Sequence, residues 1–186
     1  MLSIHELKIW FNKKIESEVI VLKQITFDDL DMLRQWRNKE EIRKNFFNQH
    51  IISPEEHLNW FKKYCEKDDD ITYIIQTREG VPIGCIALYN IDFKNEQAEI
   101  GRIFIGDENY LGKGLAQKAI ALLIEKVFKD VDLKRISLEV FEDNTRAIRV
   151  YEKVGFKTEG IKRQCVKINN ERKDVRIMSI LKNEIF

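Results

Sequence analysis

Apolar positions along the chain switch between two periods, and the switches mark out its elements. The first 16 residues, with Leu2, Leu7, Ile9, Trp10 and Phe11, read as an N-terminal extension suited to dock on the body or to serve a partner. A β-branched run at 18–24 then predicts a strand. Leu30, Leu33 and Trp36 follow at helical spacing behind Thr26, a residue suited to cap a helix. Ser53-Pro54-Glu55-Glu56 is a clearer start, with a capping serine, proline at the first helical position and a returning carboxylate ahead of Leu58, Phe61 and Tyr64. Segments 71–77, 83–91 and 97–105 read as strands joined by short polar turns, hence an antiparallel meander.

Beyond Gly112 the period becomes helical, with Ala116, Ala119, Ile120, Leu123 and Val127 on one face. Ile136, Leu138 and Val140 then alternate with polar residues, which completes a strand, helix, strand crossover. Asp143-Asn144-Thr145 caps a helix carrying Ile148, Tyr151 and Val154 that stops at Gly155, and strands at 156–167 and 173–181 flank a turn at Asn169-Asn170. Inside 97–105, Ala98 and Ile100 share one phase and Ile103 and Ile105 the other. A β-bulge would produce that slip, and so would a strand buried on both faces.

The chain has 186 residues and no repeat or Gly/Ser-rich linker, so residues 17–186 are expected to form one domain. Thirty-two basic residues against thirty-one acidic give a net charge of +1 and no bulk attraction for nucleic acid or an anionic membrane, neither of which is expected as a partner. Any anionic ligand must be met by a local device. No apolar stretch approaches the ~20 residues that span a bilayer, and the first eleven residues do not read as a leader. The chain reads as cytoplasmic, a monomer or homodimer. Cys65, Cys85 and Cys165 are odd in number and far apart, which fits a reducing compartment. With His5, His50 and His57 as the only histidines, and no HExxH or CxxC, no metal site is expected.

Asn109-Tyr110-Leu111-Gly112-Lys113-Gly114-Leu115-Ala116 lies between a strand and an amphipathic helix, where glycines let backbone N–H groups converge as an anion cradle. It is not a Walker A loop, since Lys113 is followed by Gly114, and Gln117 breaks GxGxxG. Spacing alone is equally compatible with an ordinary glycine-rich turn.

Together, this loop and the run Asn144-Thr145-Arg146-Ala147-Ile148-Arg149-Val150-Tyr151-Glu152-Lys153-Val154-Gly155-Phe156 resemble the GNAT superfamily of acyl-CoA N-acetyltransferases. The resemblance covers about residues 19–181. It implies an α/β (α+β) fold with a mixed, mostly antiparallel central sheet of about seven strands flanked by helices. The fourth and fifth strands would splay apart to admit the pantetheine arm. It implies acetyl-CoA as co-substrate, without a metal. The amides of Gly112, Lys113, Gly114, Leu115 and Ala116 would hold the pyrophosphate, with Leu111 where the family usually has Arg or Gln. Ile103, Phe104, Ile105 and Ala147 would line the cofactor's path, and Asn144 would lie beside the pantetheine.

Tyr151 carries the family's general-acid position. A phenol of pKa ~10 stays protonated at pH 7 and can deliver a proton to the departing sulfur, although a tyrosine on this apolar face also reads as a core aromatic. Glu99, just before the slip, is a candidate base acting directly or through water, or else an exposed strand carboxylate. His57 is the rival base, or a packed polar residue.

Trp36-Arg37-Asn38 and Glu56-His57-Leu58-Asn59-Trp60 resemble the branch that acetylates nucleotide-linked amino sugars, notably the pseudaminic acid pathway enzymes. Trp36, Arg37, Asn38, His57 and Trp60 would then face a UDP-linked amino sugar, the two tryptophans reading equally well as helix core. Ribosomal-protein or peptide N-terminal acetyltransferases share the same layout. A non-catalytic acyl-CoA-binding module is a third reading, against which Asn144 and Tyr151 speak.

Overall fold

A computed structural model describes residues 13–185, so the apolar residues at positions 2–11 lie outside the described residues. Eight strands form one sheet in the order β1-β2-β3-β4-β5-β6-β8-β7. They are β1 Ile15–Glu16, β2 Ile20–Gln24, β3 Asp70–Thr77, β4 Pro82–Asp92, β5 Gln97–Ile105, β6 Arg135–Phe141, β7 Lys157–Ile168 and β8 Glu171–Leu181. All neighbours are antiparallel except β5 and β6. The strand beyond the expected seven is β1, where Ile15 pairs with Leu22 and is buried. The sheet thus begins inside the segment read as an extension, because two residues are too few to show a period.

Among the described residues five α-helices accompany the sheet: α1 Leu30–Asn38, α2 Glu40–Arg43, α3 Pro54–Glu66, α4 Leu115–Lys126 and α5 Thr145–Val154. Thr26 caps a single 3-10 turn at Phe27–Asp29 that runs on into α1, and Asp29 Oδ2 accepts from both its backbone N–H and its hydroxyl. At α3 the capping box forms as the sequence predicts. Ser53 Oγ accepts from the Glu56 amide at 3.2 Å and Glu56 Oε2 from the Ser53 amide at 2.7 Å, a cap worth ~1 kcal/mol. The short α2 has no signature in the sequence, because four residues hold barely one turn.

Helices α4 and α5 cover one face of the sheet, with Ile120 and Leu123 of α4 and Phe128 of the π-helical turn that follows it packed in one core with Leu88, Ile100 and Leu138. Helices α1 and α3 cover the other face, where Leu33, Tyr64 and partly buried Trp36 and Phe61 meet Ile74 and Cys85.

What positions the site is the parting of β5 from β6. They pair only at Gln97↔Arg135, Ala98↔Ile136 and Glu99↔Ser137. Beyond that, β6 follows β8 as far as Phe141↔Val175 while β5 follows β4 to Gly84↔Ile105. The slip seen in the sequence is a bulge. Ala87 pairs with Gly101 and Cys85 with Phe104, so Arg102 and Ile103 share one partner position at Ile86, and Arg102 takes a left-handed φ of 50°. A second bulge in β4 places Asn90 at φ 50°, opposite the start of β5.

Candidate active site

A cleft of about 610 Å³ passes between the parted strands. On the α4/α5 side it is lined by Leu111, Ala116, Asn144, Ala147 and Tyr151, with Ile103, Phe104 and Ile105 along β5. On the other side it meets Phe46, Phe47, Tyr89, Arg102 and Glu139. A second cavity of about 680 Å³ adjoins it and shares Glu41, Asn45, Asn144 and Arg146. Among the described residues no group of three or more His, Cys, Asp or Glu side chains could hold a metal ion.

The glycine-rich loop ends in two left-handed residues, Gly112 at φ 74° and Gly114 at φ 71°. An added Cβ would meet nothing within 4 Å at either position, so the backbone angle, not space inside the protein, calls for glycine. Gly114 is the residue before α4, and there the helix differs from α3. The α4 N-terminus has no side-chain cap and no acidic residue in its first turn, so its leading N–H groups keep their positive partial charge. Leu111 and Ala116 line the cleft, Leu115 packs into the core, and Lys113 lies 5.0 Å from the Tyr110 ring centroid.

Asn144 caps α5 by accepting from the Ala147 amide at 3.2 Å, and it stands where the cleft and the second cavity meet. About two turns further on, Tyr151 meets Phe156 edge-on at 5.9 Å and turns to the cleft. Burial, with a smaller contribution from Tyr89, raises its phenol pKa above the usual tyrosine range. Tyr89 is pushed up to about 12, chiefly by burial and then by the charge of Glu99. It stands between Glu99, its β5 partner, and the guanidinium of Arg102, 5.0 Å from its ring.

The candidate bases separate. Glu99 occupies the last position at which β5 and β6 pair, and its carboxylate accepts from Asn90 Nδ2 at 2.9 Å just outside the cleft lining. His57 is buried between α3 and α1, stacked on Trp60 at 5.1 Å, and does not line the cleft. Burial lowers its pKa, and its Nδ1 has no hydrogen-bond partner. A carboxylate that the sequence reading passed over, Glu139 of β6, does line the cleft, where Lys162 of β7 pairs with it.

The residues expected to face an acceptor are drawn inward. Trp36 packs on Gly106, where a Cβ would fall 2.1 Å from the indole, and Trp60 stacks between His57 and Tyr64. Asn38 is committed to Ile52, donating to its carbonyl at 2.9 Å and accepting from its amide at 2.8 Å. Arg37 lays its guanidinium over the Phe46 ring and donates to the Asn48 carbonyl. None of the four lines the cleft. The wall that does face it comes from Phe46 and Phe47, whose only sequence signal is a paired aromatic inside a polar stretch. Phe46 meets Phe104 of β5 edge-on at 6.1 Å and Phe47 meets Phe141 of β6 at 5.0 Å, so the dipeptide bridges the parted strands.

Similarity to known proteins agrees with this geometry. The family model described as an acetyltransferase (GNAT) domain matches residues 20–157. An uncharacterised protein of Methanocaldococcus jannaschii, MJ1062, is 32% identical over 148 residues, covering 78% of this chain but only 30% of that protein. Spermidine N(1)-acetyltransferase of Vibrio cholerae is 26% identical, with 89% of this chain and 94% of that protein covered. A crystal structure of spermidine N-acetyltransferase from Vibrio cholerae in complex with CoA and spermine superposes with a TM-score of 0.82 at 25% identity, over 89% of this chain and 96% of that one. With the parted strands, the glycine loop and the family match in agreement, the chain belongs to the GNAT family of N-acetyltransferases.

Proposed function

We propose that the protein transfers the acetyl group of acetyl-CoA to the primary amine of a nucleotide-linked amino sugar. Acetyl transfer is carried by one observation: a single cleft runs through the sheet with the glycine loop at one end and Tyr151 in its wall. The uncapped α4 amides suit a pyrophosphate, and the side of β5 released from β6 offers backbone groups to the pantetheine amides. Acetyl-CoA supplies a thioester carbon open to attack by a neutral amine. As the C–N bond forms and the C–S bond breaks, the Tyr151 hydroxyl, which forms no hydrogen bond among the described residues, is free to protonate the sulfur. Glu139 or Glu99, directly or through water, takes the proton that the amine gives up.

For the acceptor, the supporting feature is a pair of like charges. Arg37 of α1 and Arg43 of α2 repel one another, and Arg37 is brought down to about 10 by burial and then by Arg43. Arg37 Nη1 and Arg43 Nε are buried with no hydrogen-bond partner, and neither side chain forms an ion pair among the described residues. Neither arginine lines the cleft or the adjoining cavity, so the pair acts at a distance, as positive charge with no acidic partner among the described residues, and this favours an anionic acceptor; the adjoining polar cavity of about 680 Å³ is roomier than a slender polyamine needs. A polyamine is the second reading, favoured by Glu41 and Glu139 in the cleft and by the spermidine acetyltransferases among the relatives. UDP decides between them. As a competitive inhibitor against the acceptor it supports the sugar-nucleotide reading; if UDP has no effect while spermidine turns over, the polyamine reading takes its place.

A further inference from the structure

Arg102 does something that neither the family resemblance nor the cleft lining explains. Its backbone is the left-handed residue of the β5 bulge, an uncommon conformation for a residue that carries a Cβ. Its side chain reaches over β4 to β3. There Nη1 and Nη2 donate to Asp70 Oδ1 and Oδ2 at 2.7 and 2.8 Å, and Nη1 also donates to Thr72 Oγ1 at 2.9 Å. The Asp70 side chain is 3% exposed, and the guanidinium lies near the Tyr89 and Trp60 rings. A planar fork on a buried carboxylate is directional in a way that a lysine could not reproduce.

We infer that the Arg102–Asp70 fork is a positioning device for the acetyl site, holding residue 102 left-handed and so fixing the bulge beside the parted strands. Regular pairing would spread β5 evenly along β4; the fork instead ties the extra residue toward β3 and leaves bulge backbone groups unpaired next to the cleft. Those groups are where a thioester carbonyl entering between β5 and β6 would be oriented. The inference rests on reading this cleft as the acetyl-transfer site.

The test measures kcat at saturating acetyl-CoA, the Kd for CoA, which lacks the acetyl carbonyl, and Tm, for wild type, Asp70→Asn, Arg102→Lys, Arg102→Gly and Arg102→Ala. Misplacing a reacting group by about 1 Å can cost ~10²-fold, so kcat is expected to fall at least about tenfold in Asp70→Asn and Arg102→Lys while the CoA Kd stays put. Arg102→Gly, which accepts φ 50° without a clamp, should retain more activity than Arg102→Ala. Should Asp70→Asn fail to fold, Thr72→Val removes one acceptor of the fork and reads the same split. Folded variants with wild-type kcat, or with CoA affinity and Tm falling in step with kcat, overturn the inference and make the pair merely structural. A wild-type protein that releases no CoA with any amine overturns the acetyl-transfer reading and this inference with it.

Discussion

The Arg37 guanidinium lies 3.7 Å from the centroid of the Phe46 ring, and the same group donates to the Asn48 carbonyl. Arg43 donates to Gln49 and Asn38 brackets Ile52, so segment 44–52 is held at three points by α1 and α2. This strap carries Phe46 and Phe47 across the gap between β5 and β6. Arg37→Lys keeps the charge and loses the planar stack and fork, so it should raise the acceptor KM and weaken inhibition by UDP several-fold with little change in CoA affinity. Initial-rate kinetics with UDP titrated against the acceptor measure this, and an unchanged KM would detach the strap from acceptor binding.

Tyr151→Phe preserves the ring's contact with Phe156 and deletes the donor. Turnover should fall ~10²–10⁴-fold while calorimetry finds CoA affinity intact. Because burial raises the phenol above its usual range, no loss of activity from Tyr151 deprotonation should appear below about pH 10.

Of the candidate bases, Glu139 lines the cleft and His57 does not. His57→Gln should leave the ascending limb of the kcat/KM pH profile where it is. Glu139→Gln or Glu99→Gln should shift or abolish that limb, and if neither does, the acceptor's own neutral amine fraction sets it.

Gly114→Val places a β-branched residue at φ 71° before α4. The strain falls on the turn that presents the α4 amides, so CoA affinity should drop at least about tenfold while the far-UV spectrum stays that of wild type. Calorimetric titration of both proteins reads it.

Acid stability should report the join of β6, β7 and β8. Glu159 accepts from Arg135 and from Ser179 Oγ, and Arg135 holds its carboxyl down at about 2. A carboxyl lowered on folding stabilises the fold above its unfolded pKa, ~4.5, and loses that contribution as pH falls toward the folded value. The stability advantage of wild type over Glu159→Gln should therefore shrink between about pH 4.5 and 2, as denaturant melts at stepped pH would show; solvent screening at this half-exposed pair keeps the effect small.

Local features were legible in the sequence and relational ones were not. The Ser53 cap, the stop at Gly155, the Asn169-Asn170 turn and the slip within β5 each follow from residues close in the chain, and each appears in the structure. Tyr89, Arg102 and Glu139 reach the cleft only through strand register, which spacing within one strand does not encode. His57 and Trp60 share a helix face that the sequence marks as special, but packing of α3 on α1 decides whether that face meets solvent or core. Arg37 and Asn38 were readable as donors; that the strap would consume them depended on contacts 10 or more residues away. Gly-Arg at the phase slip was the available hint of the fork, since a charged residue beside a glycine inside an apolar strand needs a reason to be there.

On the proposed function, this cleft moves acetyl from acetyl-CoA to an amine with Tyr151 as the proton donor. The most direct measurement is amine-dependent release of the CoA thiol, with the acetylated product identified by mass, for wild type and Tyr151→Phe. A UDP-linked 4-amino sugar and spermidine serve as the acceptors. Wild type should release the thiol rapidly with the sugar nucleotide and more slowly with spermidine, and Tyr151→Phe should lose ~10²-fold or more. Release that no amine stimulates, or a Tyr151→Phe variant as fast as wild type when chemistry is rate-limiting, would contradict it.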